Sequence, residues 1–372
     1  MNNTFYLLNF IKCCMSLDPK VIRDNYLRTI EMRYPDFIPC GIHPLQATWA
    51  KYREKLEEIF LRHPLLFPNF KKGMIKFDNF GIRKRGNVFV DDWGCVWYFL
   101  KDGIQGQVIK HPLDSWSKLR DLKVPDPEKG VPVEGGPIVS WDVIEESVKR
   151  AKEREALVSV SVGHGFFFQR LYYLRGFNNL MIDFVKEVPQ LLELIDIVAE
   201  YNLEIVKRIL KMKVDLVVFG DDLGLQDRMP ISPKLFRKYV FPTYRKIFLL
   251  VRSHGSHVYL HTDGHVMEVV DQLIEAGVSV LNIQDKVNGI ENIKRECKGK
   301  VCIDLDIDRQ HLLPFGTPED IEKYIEYVIK ELGSRKGGLM LKAEIGYDVP
   351  LENVEAICRA FERNLRKHLE LP

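Results

Sequence analysis

The chain has 372 residues, 46% of them hydrophobic, and a formal net charge of +2. That is enough apolar material for one large core, and Lys and Arg scattered among Asp and Glu leave no basic tract for nucleic acid. Seven cysteines, odd in number and without a C-x-x-C pair, exclude a disulfide framework and point to a reducing cytoplasm.

The apolar opening, residues 5–15, lacks the basic start of a leader and is too short to span a bilayer. It is expected to pack as a helix within an N-terminal extension, residues 1–34, that also holds a helix over 20–33 capped by Ser16 or Asp18. A first strand is expected at 36–40 and a helix at 48–62, with Trp49, Tyr52, Leu56 and Phe60 on one face. Residues 76–108 change texture: Gly81, Gly86, Gly94, Gly103 and Gly106 punctuate short alternating runs, which predicts a β-rich insertion of hairpins over one end of the main domain. From Val131 onwards strands and helices alternate. Strands are expected at 137–140, 157–162, 216–220, 257–261, 278–283, 301–306 and 338–342. Helices are expected at 141–154, 177–187, 189–212, 232–253 and 318–332. With the first strand this makes eight parallel strands with helical returns, a TIM (β/α)8 barrel; a doubly wound open sheet is the alternative. No repeat or low-complexity linker interrupts the chain, which reads as one domain over 1–372.

In parallel α/β folds chemistry collects at the carboxyl ends of the strands. The most informative stretch there is Leu260-His261-Thr262-Asp263-Gly264. It lies between a buried strand and a helix that stops at Glu275-Ala276-Gly277. Alternating residues of an extended segment point the same way, so His261 and Asp263 can converge on one metal ion or one substrate; a polar turn is the plainer reading. After the strand at 157–162 come His164 between two glycines and then Phe166, Phe167 and Phe168, a run that either lines an apolar pocket or packs as barrel-top core. Asp221 and Asp222 end the next strand as paired carboxylates, able to bind a metal, act as base, orient a histidine or cap a turn. Glu344 ends the last strand. Asp304, Asp306 and Asp308 end the one before it in an alternating row. In the insertion, Asp91, Asp92, Trp93 and Trp97 place acids beside indoles, as a lid or as a packed hairpin.

Several blocks together resemble the uroporphyrinogen decarboxylase superfamily. They are Phe219-Gly220-Asp221-Asp222-Leu223-Gly224, then Ile231-Ser232-Pro233 with Phe236 and Pro242, then the His261 block. Phe315-Gly316-Thr317-Pro318-Glu319 and Pro350-Leu351-Glu352-Asn353 close the series, and Leu174-Arg175-Gly176 with Met181 and Asp183 is similar to its mid-chain helix. The resemblance implies a barrel and either porphyrinogen decarboxylation or cobalamin-dependent methyl transfer. The arginine pair that holds substrate carboxylates in the decarboxylases has no counterpart in Met32-Arg33-Tyr34-Pro35-Asp36-Phe37-Ile38-Pro39, which favours the methyltransferase branch. Its thiol-methylating members bind zinc with His-x-Cys and a later Cys. Here Asp263 stands at the first Cys position, and Glu344 is the candidate for the second.

Hard oxygen in place of thiolate suits a metal that polarises an oxygen leaving group. The resemblance therefore implies an O-demethylating methyltransferase. Such an enzyme passes methyl from a methoxylated aromatic compound to the cobalt(I) of a corrinoid protein. The expected roles are His261, Asp222 and Glu344 in catalysis, His261, Asp263 and Glu344 on zinc, and His164, Phe166, Phe168, Asp91, Trp93 and Asp221 around the substrate. No D-x-H-x-x-G corrinoid signature occurs in the chain, so cobalamin is expected to arrive on a partner protein. Transfer between a corrinoid protein and a thiol is the alternative, followed by decarboxylation or a non-catalytic binder. The chain is compatible with a monomer or a homodimer.

Overall fold

Stretches such as Leu216-Val217-Val218-Phe219 are apolar at every position, as strands covered on both faces must be. Seven strands form one parallel sheet in a computed structural model that describes residues 18–365. The expected helix at 5–15 lies outside the described residues. The strands are β1 (Cys40–Pro44), β7 (Ser159–His164), β8 (Leu216–Gly220), β9 (His257–Thr262), β10 (Val280–Gln284), β11 (Cys302–Asp306) and β12 (Leu339–Ile345), in the order β1-β12-β11-β10-β9-β8-β7. The sheet curls and helices pack on its outside, the TIM-barrel-like α/β fold that the strand–helix alternation implies.

The first strand runs four residues later than expected, and the expected strand at 137–140 belongs elsewhere. It is β6 (Gly136–Ser140), paired antiparallel with β5 (Gly130–Val133) across a tight turn at Glu134 and Gly135. Gly135 takes a positive φ there, which favours a hairpin over a barrel strand. This hairpin lies against β7: a Cβ at Gly163 would sit 2.6 Å from the Pro132 carbonyl oxygen. A separate three-stranded antiparallel sheet, β2 (Val88–Val90), β3 (Val96–Tyr98) and β4 (Gln107–Lys110), forms the β-rich insertion. The helix expected at 48–62 is two, Gln46–Tyr52 and Glu54–Arg62, divided at Arg53, whose φ is 50°.

The two faces of the sheet carry different cores. Outward residues such as Val217, Phe219, Leu260, Leu281 and Leu305 pack under the helices in the main cluster. The inward residues that alternate with such positions, Leu216, Val218, Tyr259, Val280, Cys302 and Met340, form a second cluster. Tyr26 and Ile30 close it from the helix Pro19–Ile30. The concave face is therefore plugged and apolar at its amino-terminal end, and its polar residues are gathered at the carboxyl ends of the strands.

Candidate active site at the carboxyl ends of the strands

Along β9, β10, β11 and β12 the inward positions change from apolar to polar towards the carboxyl end. Tyr259 is followed inward by His261, Val280 by Asn282 and Gln284, Cys302 by Asp304 and Asp306, and Met340 by Lys342 and Glu344. Parallel pairing puts His261 beside both Gly220 and Asn282. The Asn282 carboxamide oxygen lies 2.6 Å from His261 Nδ1 and also accepts from Lys342 at 3.3 Å. An oxygen can only accept, so Nδ1 carries the proton and Nε2 presents a lone pair. Burial first, then the Lys342 charge, lowers the His261 pKa and keeps the ring neutral. Its Nε2 faces two carboxylate oxygens, Asp263 Oδ1 at 3.7 Å and Asp222 Oδ1 at 3.8 Å. Asp263 Oδ1 is buried without a hydrogen-bond partner.

His164 reaches the same place by an irregularity. The β7–β8 register slips by one residue between Ser161 and Gly163, so Ser161 stands opposite Val218 and His164 opposite Gly220. Val218 and Gly220 both face inward, and the bulge brings His164 inward with Ser161. The ring occupies space left by Gly220, where a Cβ would lie 2.6 Å from His164 Cδ2. Its Nε2 is 3.2 Å from Asp222 Oδ1 and its Nδ1 is 3.2 Å from Glu134 Oε2. Burial alone would lower its pKa, but Asp222 and Glu134 more than reverse this, and the ring is held as an imidazolium well above its ordinary range. Tyr173 donates to the other Glu134 oxygen. Gln169 donates to Asp222 at 3.0 Å, and the Asp263 amide does so at 3.0 Å. His164, Asp222 and His261 thus offer donor atoms within 4.8 Å of one another.

Of the expected residues, the structure gathers His261, Asp222, Asp263 and His164, with Glu344 at the edge of the group. A guanidinium stands between Glu344 and the others. Arg309, in the loop after β11, donates to Glu344 Oε1 at 2.6 Å and also to Asp263 Oδ2. Burial would raise the Glu344 pKa, but Arg309 and then Lys342 hold it below the usual range. The expected zinc set of His261, Asp263 and Glu344 is therefore split, because an arginine invisible to motif reading takes the Glu344 side.

The remaining expected residues have structural work. Asp221 is fully buried and accepts from the Phe168 and Gln169 amides at 2.6 and 2.7 Å and from the Tyr244 hydroxyl at 2.7 Å. Burial pushes its carboxyl up to about 7. Phe166 packs against Phe219 and Tyr244, and Phe168 against Phe184, both in the core under the helices. Asp91 closes its own turn by accepting from the Trp93 and Cys95 amides, and it binds the Trp97 indole and Arg170. Trp93 is buried edge-on to Tyr201. These side chains do not form the expected aromatic cage, because apolar rings at a strand end gain more from the helix layer than from a polar mouth. The rings beside the polar cluster are instead Tyr173, which bonds Glu134 and Gln169, and Tyr172 and Trp97, which pack on Tyr173. Glu134, Gln169, Tyr173, Asn282 and Arg309 were absent from the sequence-derived site. Of these only Asn282 carried a signal, as a polar residue within the apolar run Val280–Ile283.

The neutral His261 Nε2, the orphaned Asp263 oxygen and the Asp222 carboxylate are one nitrogen and two oxygen donors, a set that fits a divalent ion such as zinc. Bound there, the ion would supply a Lewis acid.

A sequence profile described as uroporphyrinogen decarboxylase (URO-D) matches residues 74–363. No curated protein sequence matches the chain. Among solved structures, a methyltransferase from Methanosarcina mazei is similar with a TM-score of 0.60 and 17% identity, over 92% of this chain and 98% of that one. A 3-keto-D-glucoside 4-epimerase from E. coli has a TM-score of 0.37 and 12% identity, over 69% of this chain and 96% of that one. No helix among the described residues is long and apolar enough to cross a membrane.

Proposed function

The chain belongs to the uroporphyrinogen decarboxylase family, and from that premise we propose that it is a corrinoid-dependent methyltransferase. In this reading it demethylates a methoxylated aromatic compound and passes the methyl group to the cobalt(I) of a partner corrinoid protein. The observation that carries this reading is the pairing of hard donors with a ready acid: His261, Asp263 and Asp222 on one side, the His164 imidazolium on the other. The methyltransferase fold of similar outline supports it, and so does the missing arginine pair in residues 32–39.

In the balanced step the methyl–oxygen bond breaks, the methyl group moves to the cobalt(I) nucleophile, and the bonding electron pair stays on oxygen. That oxygen needs a proton or a positive charge as it leaves. His164 holds a proton at Nε2, 3.2 Å from Asp222, and the Glu134 carboxylate, 3.2 Å from Nδ1 without hydrogen-bond geometry, favours the charged ring from behind. His261 is fixed by Asn282 with its lone pair towards Asp222 and Asp263, the arrangement in which an imidazole serves as metal ligand. Tyr172, half-buried and packed on Tyr173, would supply the ring face against which an aromatic ether stacks, and such pairs contribute about 0.5–1.5 kcal/mol beyond burial.

The test follows the cobalt(I)-to-methylcobalt absorbance change when a methoxybenzoate or methoxyphenol is added to this protein with reduced corrinoid protein. Methylated thiols and methanol run in parallel. Aromatic ethers should give the change. His164→Gln should slow it by about 100-fold or more, the contribution of a positioned acid. A response to methylated thiols alone would reassign the chain to corrinoid–thiol transfer.

A further inference from the structure

We propose that Arg309 is a built-in cation that divides the carboxylates of the site. Glu344 and one oxygen of Asp263 are given to the guanidinium, and the other Asp263 oxygen is left to a divalent ion beside His261. The inference rests on the metal reading above and adds a residue that limits it.

Arg309 donates through Nη1 to Glu344 at 2.6 Å and through Nη2 to Asp263 Oδ2, and Nη1 lies 3.5 Å from Asp306 Oδ2. The loop that delivers it is fixed by Asp308, whose carboxylate accepts from the Gln310 and His311 amides at 3.0 Å each. Behind it Asp306 is buried with neither carboxyl oxygen hydrogen-bonded. The two oxygens of Asp263 are thus used differently. Oδ2 is taken by Arg309, while Oδ1 is buried, has no hydrogen-bond partner and points to His261 Nε2 at 3.7 Å. A guanidinium and a metal ion both seek carboxylates and repel each other, so each carboxylate oxygen bound by Arg309 is withheld from the ion. The result is a coordination set of few protein donors with positions free for a substrate, as catalytic rather than structural sites require.

The experiment titrates zinc into the full-length apo protein against a chromogenic chelator, for wild type, Arg309→Gln, Arg309→Lys, Glu344→Gln and the Arg309→Gln/Glu344→Gln double variant. Arg309→Gln should bind zinc about tenfold or more tightly, since a like charge is removed and Glu344 is released. Arg309→Lys, which keeps the charge, should stay near wild type. Glu344→Gln alone should change affinity by no more than about twofold, yet in the Arg309→Gln background it should abolish the gain. Equal or weaker binding by Arg309→Gln overturns the inference and leaves the metal reading standing. If Arg309→Gln does not fold, Glu344→Gln decides: a tenfold loss shows Glu344 to be a ligand and overturns the inference. Binding by Arg309→Gln with none by wild type overturns the inference, which places the ion beside His261 with Arg309 intact, and silence in both overturns the metal reading as well.

Discussion

His261 owes its readiness to a neighbour on the next strand. Asn282 holds the Nδ1 proton, and metal-binding histidines that lose such a partner commonly lose 10–100-fold in affinity. Asn282→Ala should therefore weaken zinc binding within about that range. His261→Ala should lose most bound metal in elemental analysis while His254→Ala, exposed after the helix Phe241–Ser253, keeps it. His164 makes a prediction in pH. Its folded-state pKa is raised, so its stabilisation is fully present below its ordinary 6.5 and is lost as pH rises through the higher folded value. In metal-free protein the gap between the urea midpoints of wild type and His164→Gln should narrow as pH rises above the ordinary 6.5; a gap that does not change with pH refutes the imidazolium. The His-x-Asp pair was legible because strand alternation alone puts His261 and Asp263 at one edge. His164 was legible as a polar residue after a strand, but its inward direction depends on a one-residue bulge with no signature in the local sequence. Arg309 was not legible, since nothing in Asp306-Ile307-Asp308-Arg309 tells which carboxylates a loop arginine will meet after folding.

At the scale of the element, a buried carboxylate, Asp91, helps to fasten the insertion to the helix Phe168–Arg175. Asp91 satisfies two amides of its own turn and an indole, and it carries the Arg170 charge, with both ion-pair partners almost free of solvent. Removing one partner of a buried pair leaves the other uncompensated, and Asp91→Ala should cost about 3–5 kcal/mol. Urea unfolding measures it, and an accompanying rise in proteolysis between residues 76 and 110 would localise the loss. The glycine-spaced texture announced this sheet correctly. The same reading assigned Asp91 and Trp93 to a substrate because acids beside indoles look alike in a lid and in a turn. The phenylalanine run misled for a similar reason. Phe166 and Phe168 follow a strand end, yet hydrophobic gain draws them into the helix layer, and the Phe168 amide serves the site by holding Asp221. The strand expected at 137–140 was placed in the barrel by its apolar content, although Glu134-Gly135-Gly136 ahead of it favoured a hairpin.

Over the whole molecule, the concave face passes from an apolar floor to a charged rim within the length of one strand. Tyr26 and Ile30 seal the floor from the helix Pro19–Ile30. That helix is therefore part of the core and not a dispensable extension: Tyr26→Ala should lower stability by about 3–5 kcal/mol, as truncation of a buried aromatic does, read from denaturant melts. The fold class was legible because strand–helix alternation persists over most of the chain. Strand number was not, because an apolar run of five residues looks the same whether its partners are parallel or antiparallel.

Behind the ligands, the loops after β8 and β9 meet backbone to backbone. A Cβ at Gly264 would lie 2.3 Å from the Gly224 carbonyl, one at Gly224 would lie 2.3 Å from the His265 nitrogen, and the Gly224 amide donates to the Asp263 carbonyl at 3.1 Å. In a saturation scan scored on growth or turnover, Gly224 and Gly264 would be as intolerant as the histidines, though neither touches a reactant. A map of essential positions drawn from such a scan would mark a hinge pin as chemistry, and thermal melting of Gly224→Ala would tell the two apart.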